Sequence, residues 1–172
     1  GGEGENEIAA ALLTGDDKWI LLRLDRAIRE VSDALESYRF SDAAQSLYRF
    51  FWNEYCDRYI ETSKSVLNGA DVALKSNTLA VIDFILSHTL RLFHPFLPFI
   101  TEELWNSMGY NQDLPPSQGG TSIQSSVWPA PFDSDFLAHY GLSPEDEIRA
   151  ERRFEVVSAG RGLRRDFNIP SN

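Results

Sequence analysis

The run from Leu47 to Lys64, LYRFFWNEYCDRYIETSK, constrains the fold most, because it crowds six aromatic side chains into little more than three helical turns. At about 100° per residue, Tyr48, Phe51, Trp52, Tyr55, Cys56, Tyr59, Ile60 and Ser63 gather on one half of a helix. Asn53, Glu54, Asp57, Arg58, Glu61 and Lys64 take the other half. A surface helix needs an apolar stripe of little more than about 100°. A wider arc can be covered only by partners on two or three sides, which predicts a helical bundle with this run at its centre.

The flanking sequence supplies those partners. Residues 1–15 open GGEGENE and predict a flexible acidic lead-in, and residues 16–170 are expected to form one bundle domain. Thr14 and Asp17 stand at the spacing of a capping box. They predict a first helix to about Tyr38, with Leu21, Leu24, Ile28, Val31, Leu35 and Tyr38 as its seam. A short link through Arg39 and Phe40 predicts an antiparallel neighbour, capped by Ser41 and ending at Asn68-Gly69. A third helix is expected from about Ser76 to Phe93, where His94-Pro95 stops it. Pro98 opens a fourth, through Ile100, Leu104 and Trp105. Residues from about 109 to 127 read as one long loop, followed by the extended segment Val127-Trp-Pro-Ala-Pro-Phe132, with Trp128 expected to plug into the bundle. Ser143, Pro144 and Asp146 start a last helix reaching about Arg165. The fold class predicted is all-α: an antiparallel bundle of four to five helices.

Charge separates the two ends of the chain. The formal net charge of −10 argues against a generic nucleic-acid binder. Yet residues 1–17 hold five acidic groups and no base, whereas Arg149, Arg152, Arg153, Arg161, Arg164 and Arg165 cluster after Ile148. A polyanion would therefore meet the C-terminal part. The single cysteine, Cys56, excludes an internal disulfide and fits a reducing compartment. No apolar run approaches the ~20 residues of a membrane span and no signal peptide opens the chain, so a soluble, cytoplasmic protein without membrane contact is expected.

No catalytic or metal-binding constellation is legible. His88, His94 and His139 lack ligand partners at metal spacing, and no Glu-x-x-His pair is present. His94 reads as a structural corner. Glu54, Asp57 and Glu61 read as a solvated face, with Glu54 to Arg58 and Glu61 to Lys64 pairs expected.

Three segments then carry a family resemblance. Lys18-Trp-Ile-Leu-Leu-Arg-Leu24, Phe50-Phe-Trp-Asn-Glu-Tyr-Cys-Asp-Arg-Tyr-Ile-Glu-Thr-Ser-Lys64 and His94-Pro-Phe-Leu-Pro-Phe-Ile-Thr-Glu-Glu-Leu-Trp105 resemble, in order, the anticodon-binding helical domain of class I aminoacyl-tRNA synthetases. Val127-Trp-Pro129 and Arg164-Arg-Asp-Phe-Asn-Ile-Pro170 extend the likeness. Cys-Asp-x-Tyr-Ile-Glu, with Trp52 four residues before Cys56, points to the valyl branch, and the isoleucyl branch is the runner-up. Family members usually carry tryptophan where this chain has Arg58. Their two ATP-site signatures are absent, so the chain is expected to be a piece of a larger ligase and inactive alone.

The resemblance implies a parent enzyme that attaches valine to its tRNA with ATP and Mg²⁺, and a bundle that holds the anticodon arm beside the catalytic domain of the same enzyme. No cofactor is implied for the chain itself. On that basis Arg58, Lys64, Arg161, Arg164 and Arg165 are the candidates for RNA contact. Phe50, Trp52, Tyr55 and Tyr59 are expected to be core. A helical bundle that only docks proteins is the reading from a different class.

Overall fold

The computed structural model describes residues 7–113 and 122–166, and the regular structure among them is helical. Helix α1 spans Gly15–Glu36, α2 Phe40–Arg49, a π-helical stretch Phe50–Ile60, and α3 Glu61–Leu67. Helix α4 spans Val72–Phe93, α5 Pro98–Ser107, α6 Tyr110–Asp113, α7 Ser134–Tyr140 and α8 Pro144–Asp166. The bundle's frame is α1, the continuous α2–π–α3 rod, α4 and the first half of α8.

Helix α1 begins where its capping box predicts. The Asp17 amide donates to Thr14 Oγ1 at 3.1 Å, and the Thr14 amide donates to Asp17 Oδ2 at 2.9 Å. Asp17 is itself buried, and its Oδ1 accepts the Tyr59 hydroxyl at 2.6 Å, joining the start of α1 to the centre of the rod. Burial pushes the Asp17 carboxyl above its usual range against these hydrogen bonds, and burial with the Asp17 charge pushes the Tyr59 phenol up. Thr14→Ala removes one half of the box and is expected to cost about 1–2 kcal/mol in a urea titration. Thr14→Ser should restore most of it.

Leu21, Leu24, Ile28 and Val31 are fully buried, as the seam predicts, but Tyr38 leaves it. The helix ends in a Schellman turn, in which the Arg39 amide donates to Ala34 O at 2.7 Å and the Tyr38 amide to Leu35 O at 3.0 Å. Tyr38 occupies the left-handed position of that turn, with φ of 58°. The second helix starts directly at Phe40, so Ser41 is not its cap.

The rod corrects the 100° projection. A π-helix closes i→i+5 bonds and turns less per residue than an α-helix, so the inward face advances by larger steps. Phe50, Tyr55, Tyr59 and Ser63 are buried at steps of five, four and four, whereas Tyr48 and Trp52 are exposed. Phe50, Tyr55 and Tyr59 are core as expected, and Trp52 is not.

Helix α4 starts at Val72, capped by the Asp71 side chain, four residues before the expected Ser76. It is buried on a broad arc including Val81, Ile85, Leu90 and Leu92, while Leu79 is exposed. His94 Nδ1 meets Thr101 Oγ1 at 2.8 Å, which locks the corner into α5. Trp105 and Tyr110, with Leu90 and Ile123, form a second small core under the expected loop. That segment is therefore not irregular throughout, and residues 114–121 lie outside the description.

The lead-in is docked over its described residues. Ile8 enters the main core, and Ala9 exchanges hydrogen bonds of 2.7 and 3.2 Å with the Asn77 side chain. Beyond the loop, Pro129 and Phe132 are the buried residues of the extended segment. Trp128 stays at the surface and donates its indole N–H to Ser32 Oγ at 2.9 Å. Helix α7, capped by Asp133 and closed by left-handed Gly141 (φ 59°), was not expected.

Candidate nucleic-acid interface

The polar side of the rod faces the first half of α8, and arginines join the two. Arg23 on α1 donates to Glu54 on the π stretch at 2.8 Å and to Glu147 on α8 at 2.9 Å. Arg26 adds a second contact to Glu147 at 2.7 Å. Hydrogen bonding to Glu54 raises the Arg23 pKa despite burial, so this three-element junction stays charged. The expected Glu54 to Arg58 pair does not form, because each side chain finds a partner across a helix interface instead.

Arg58 is the largest departure from the sequence reading. Expected as an RNA contact on a thin polar edge, its side chain is only 11% exposed. The guanidinium lies 3.9 Å from the Trp19 ring centre and 4.1 Å from that of Phe154. It donates to Glu151 Oε2 at 2.8 Å and to Ala150 O at 3.2 Å. Glu151 also accepts the Trp19 indole N–H at 2.8 Å. Burial pushes the Glu151 carboxyl up, but the hydrogen bonds from Arg58 and Trp19 outweigh it and hold the pKa below the usual value. A planar cation between two rings fills the space an aromatic side chain would fill and adds charge-assisted hydrogen bonds. Arg58 thus docks α8 onto the bundle.

Beyond that clamp the second half of α8 is exposed through to Arg161. Between it and the side of α3 lies a groove of about 370 Å³. One wall carries Asp16, Glu61, Thr62 and Ser65, and the other Arg153, Phe154, Val157 and Arg161. Arg153, Val157 and Arg161 recur every four residues, the spacing of one helix stripe. Arg153 crosses the groove to Asp16 at 2.6 Å. Lys64 is exposed on α3 and forms the expected pair with Glu61 at 2.6 Å. Arg161 has no ion pair among the described residues. Arg164 and Arg165 continue the same helix, and their side chains lie outside the description.

The structure therefore places Arg161 in the groove wall, Lys64 outside its lining but paired with the wall residue Glu61, and Arg58 beneath it, against Ala150 and Phe154. Arg153 was not among the sequence candidates. Its eight-residue spacing to Arg161, two steps of four, was visible in the sequence, but its partner Asp16, 137 residues away, was not. The exposed pairs are weak by nature, each worth a few tenths of a kcal/mol, so a phosphate can exchange with either carboxylate. Among the described residues no group of three His, Cys, Asp or Glu side chains could hold a metal ion, and no helix is long and apolar enough to cross a membrane.

Residues 17–172 match the family described as the anticodon-binding domain of tRNA ligase. The chain is 41% identical over 154 residues to a valine–tRNA ligase of Rhizobium meliloti, which covers 90% of this chain and 15% of that protein. It is 42% identical over 165 residues to one of Pseudothermotoga lettingae, covering 96% and 17%. A third, of Geobacter sulfurreducens, is 40% identical over 158 residues, covering 91% and 16%. The chain thus spans about one sixth of the length of the curated relatives it matches. An all-α bundle with a cation-edged groove on its last helix, matched almost end to end, belongs to the anticodon-binding domain family of tRNA ligases.

Proposed function

We propose that this chain is the module that holds the anticodon arm of tRNA in a valine–tRNA ligase, a cytoplasmic enzyme that joins valine to its tRNA with ATP and Mg²⁺. The observation that carries the reading is the groove, where Arg153 and Arg161 on α8 face the helix bearing Lys64 across a span open to solvent. Those arginines, with Lys64 exposed on the neighbouring helix, neutralise backbone phosphates, and the half-exposed Phe154 offers a ring edge beside them. Arg164 and Arg165, which follow in the same helix, are proposed as further phosphate contacts. Arg58 serves at one remove, by fixing the angle of α8. The chemistry of ATP belongs to the catalytic domain of the same enzyme, and residues 16–170 act as one binding domain. The named relatives are valine ligases, so the isoleucyl alternative is not favoured.

Fluorescence anisotropy of this polypeptide with a valine tRNA transcript, at 50 to 200 mM salt, tests the reading. Affinity should fall steeply with salt, as counterion release requires. Replacing Lys64, Arg153 and Arg161 together by alanine should weaken binding about 10- to 100-fold at the lowest salt and flatten the log–log slope by roughly two. Asp16→Asn with Glu61→Gln should act in the opposite sense, tightening binding several-fold, because those carboxylates compete with phosphate for the same cations. The absence of salt-sensitive binding by the unaltered chain would sink the proposal.

A further inference from the structure

Between α4, the extended segment and the start of α7 lies a cavity of about 260 Å³ that shares no residue with the groove. A cavity of ~150 Å³ already holds a benzene ring, whereas drug-sized ligands need upwards of ~300 Å³. The space therefore suits a small molecule. Its apolar walls are rings: Phe132 and Phe136 stack at 4.1 Å between centroids, and Phe84 stands 6.1 Å from Phe136. Three polar side chains, His88, Arg91 and Asp133, interrupt those walls.

Each of the three has a polar atom left over. Arg91 is 6% exposed, yet its Nη1 and Nε reach only the carbonyl oxygens of Val127 and Ser87, at 2.9 and 3.4 Å, and its Nη2 has no acceptor among the described residues. The planar fork of a buried guanidinium is matched by a carboxylate. His88 Nδ1 carries the ring proton, because the Phe84 O that it meets at 2.8 Å can only accept. Its Nε2 is then a lone pair that needs a donor, and burial beside the Arg91 charge keeps the ring from taking a second proton. Asp133 caps α7 by accepting the Phe136 amide on Oδ1 at 2.8 Å, which leaves Oδ2.

These leftovers select among ligand classes. A simple anion satisfies Arg91 but is repelled by Asp133 and meets a lone pair on His88. A simple amine has the opposite conflict, and inorganic phosphate gains nothing from the rings. A carboxylate and an ammonium on one carbon, with an apolar side chain, answer all of the walls together. We propose that this cavity binds a free α-amino acid with a large apolar side chain: Arg91 takes the carboxylate, His88 and Asp133 take the ammonium, and Phe84, Phe132 and Phe136 enclose the side chain. Because Arg91 also holds Val127 O and Asp133 opens α7, such a ligand ties both ends of the extended segment to α4. The inference goes beyond the RNA reading and does not rest on it.

Nuclear magnetic resonance of the 172-residue chain titrated with L-phenylalanine tests the site. The imidazole signals of His88, assigned by their loss in His88→Gln, should shift saturably with a Kd of about 1 mM. The ligand ring should show Overhauser effects to Phe132 and Phe136. Hydrocinnamate, which lacks the ammonium, and phenethylamine, which lacks the carboxylate, should each bind about 10-fold more weakly. Asp133→Asn keeps a good cap on α7, so it should fold, and it should weaken phenylalanine about 10-fold without weakening hydrocinnamate. The absence of a saturable His88 shift up to about 20 mM phenylalanine overturns the proposal. So does hydrocinnamate binding as tightly as phenylalanine, or Asp133→Asn binding phenylalanine as tightly as the unaltered chain. Displacement of phenylalanine by valine tRNA marks RNA as the occupant and overturns it too. The salt dependence of tRNA binding is read on the groove alone, so the two readings fail independently.

Discussion

Trp19→Ala is expected to lower the stability of the bundle by about 3–5 kcal/mol, the range for removing a buried indole. Its ring is 2% exposed and lies where α1, the π stretch and α8 meet, so nothing nearby can collapse into the space without moving a helix. The substitution also takes away the surface beneath the Arg58 guanidinium and one of the two hydrogen bonds that hold Glu151. For a domain of this size each kcal/mol corresponds to about 2–4 °C in melting temperature, so a fall of about 6–20 °C is expected by calorimetry. Hydrogen exchange locates the damage, and amides of the first half of α8 should lose protection before those of α4. Trp19→Phe keeps a face for the guanidinium but no N–H, and should cost about half as much. A loss below about 1 kcal/mol for Trp19→Ala would show that α8 is held by the Arg23 junction rather than by the clamp.

Acid should weaken the fold through His88. Its ring packs on Phe84 at 4.1 Å between centroids, and Nδ1 meets Phe84 O at 2.8 Å. Burial, with the Arg91 charge behind it, lowers its pKa to about 3 from an ordinary 6.5. Arg91 is buried with no carboxylate partner among the described residues, donating to Val127 O at 2.9 Å and to Ser87 O at 3.4 Å, and burial lowers its pKa to about 10. Between pH 6.5 and 3 the unfolded chain binds a proton at His88 that the folded chain refuses. Stability is therefore complete above pH 6.5 and lost as pH falls toward 3. At pH 4.5 the loss from this one group should reach about 2 kcal/mol relative to pH 7, allowing for the solvent that still reaches the ring. The difference between unaltered protein and His88→Gln in urea midpoints at the two pH values isolates it, since other titrating groups are common to both. Parallel pH curves for the two proteins would refute the assignment.

Local chemistry made much of the fold legible. The Thr14–Asp17 box, Pro98 at the first turn of α5 and the Ser143–Asp146 start of α8 each act within four residues, and each lies where the sequence places it. The central rod was legible as a helix but not in its facing, because a period of 3.6 was imposed on a stretch wound more loosely. Helix α7 is hard to read from sequence because it is only seven residues long, between a proline-rich segment and Gly141, although its Asp133 cap is a local signal. The groove shows the same division. Glu61 and Lys64 are three residues apart and their pairing could be read directly. Arg58 could not, since its partners Trp19, Glu151 and Phe154 come from both ends of the chain.

The π stretch has a consequence for how such chains change length. At about 4.4 residues per turn, eleven residues sweep about the same angle as nine in an α-helix. Phe50–Ile60 therefore holds two residues more than an α-helical path of equal rotation. A descendant or relative could lose two residues here, tighten the segment, and keep α2 and α3 presenting the same sides to their neighbours. In an ordinary helix a single deletion rotates everything beyond it by 100°. The aromatic rod thus carries its own slack, two residues of it, in the place where its sequence is densest in rings.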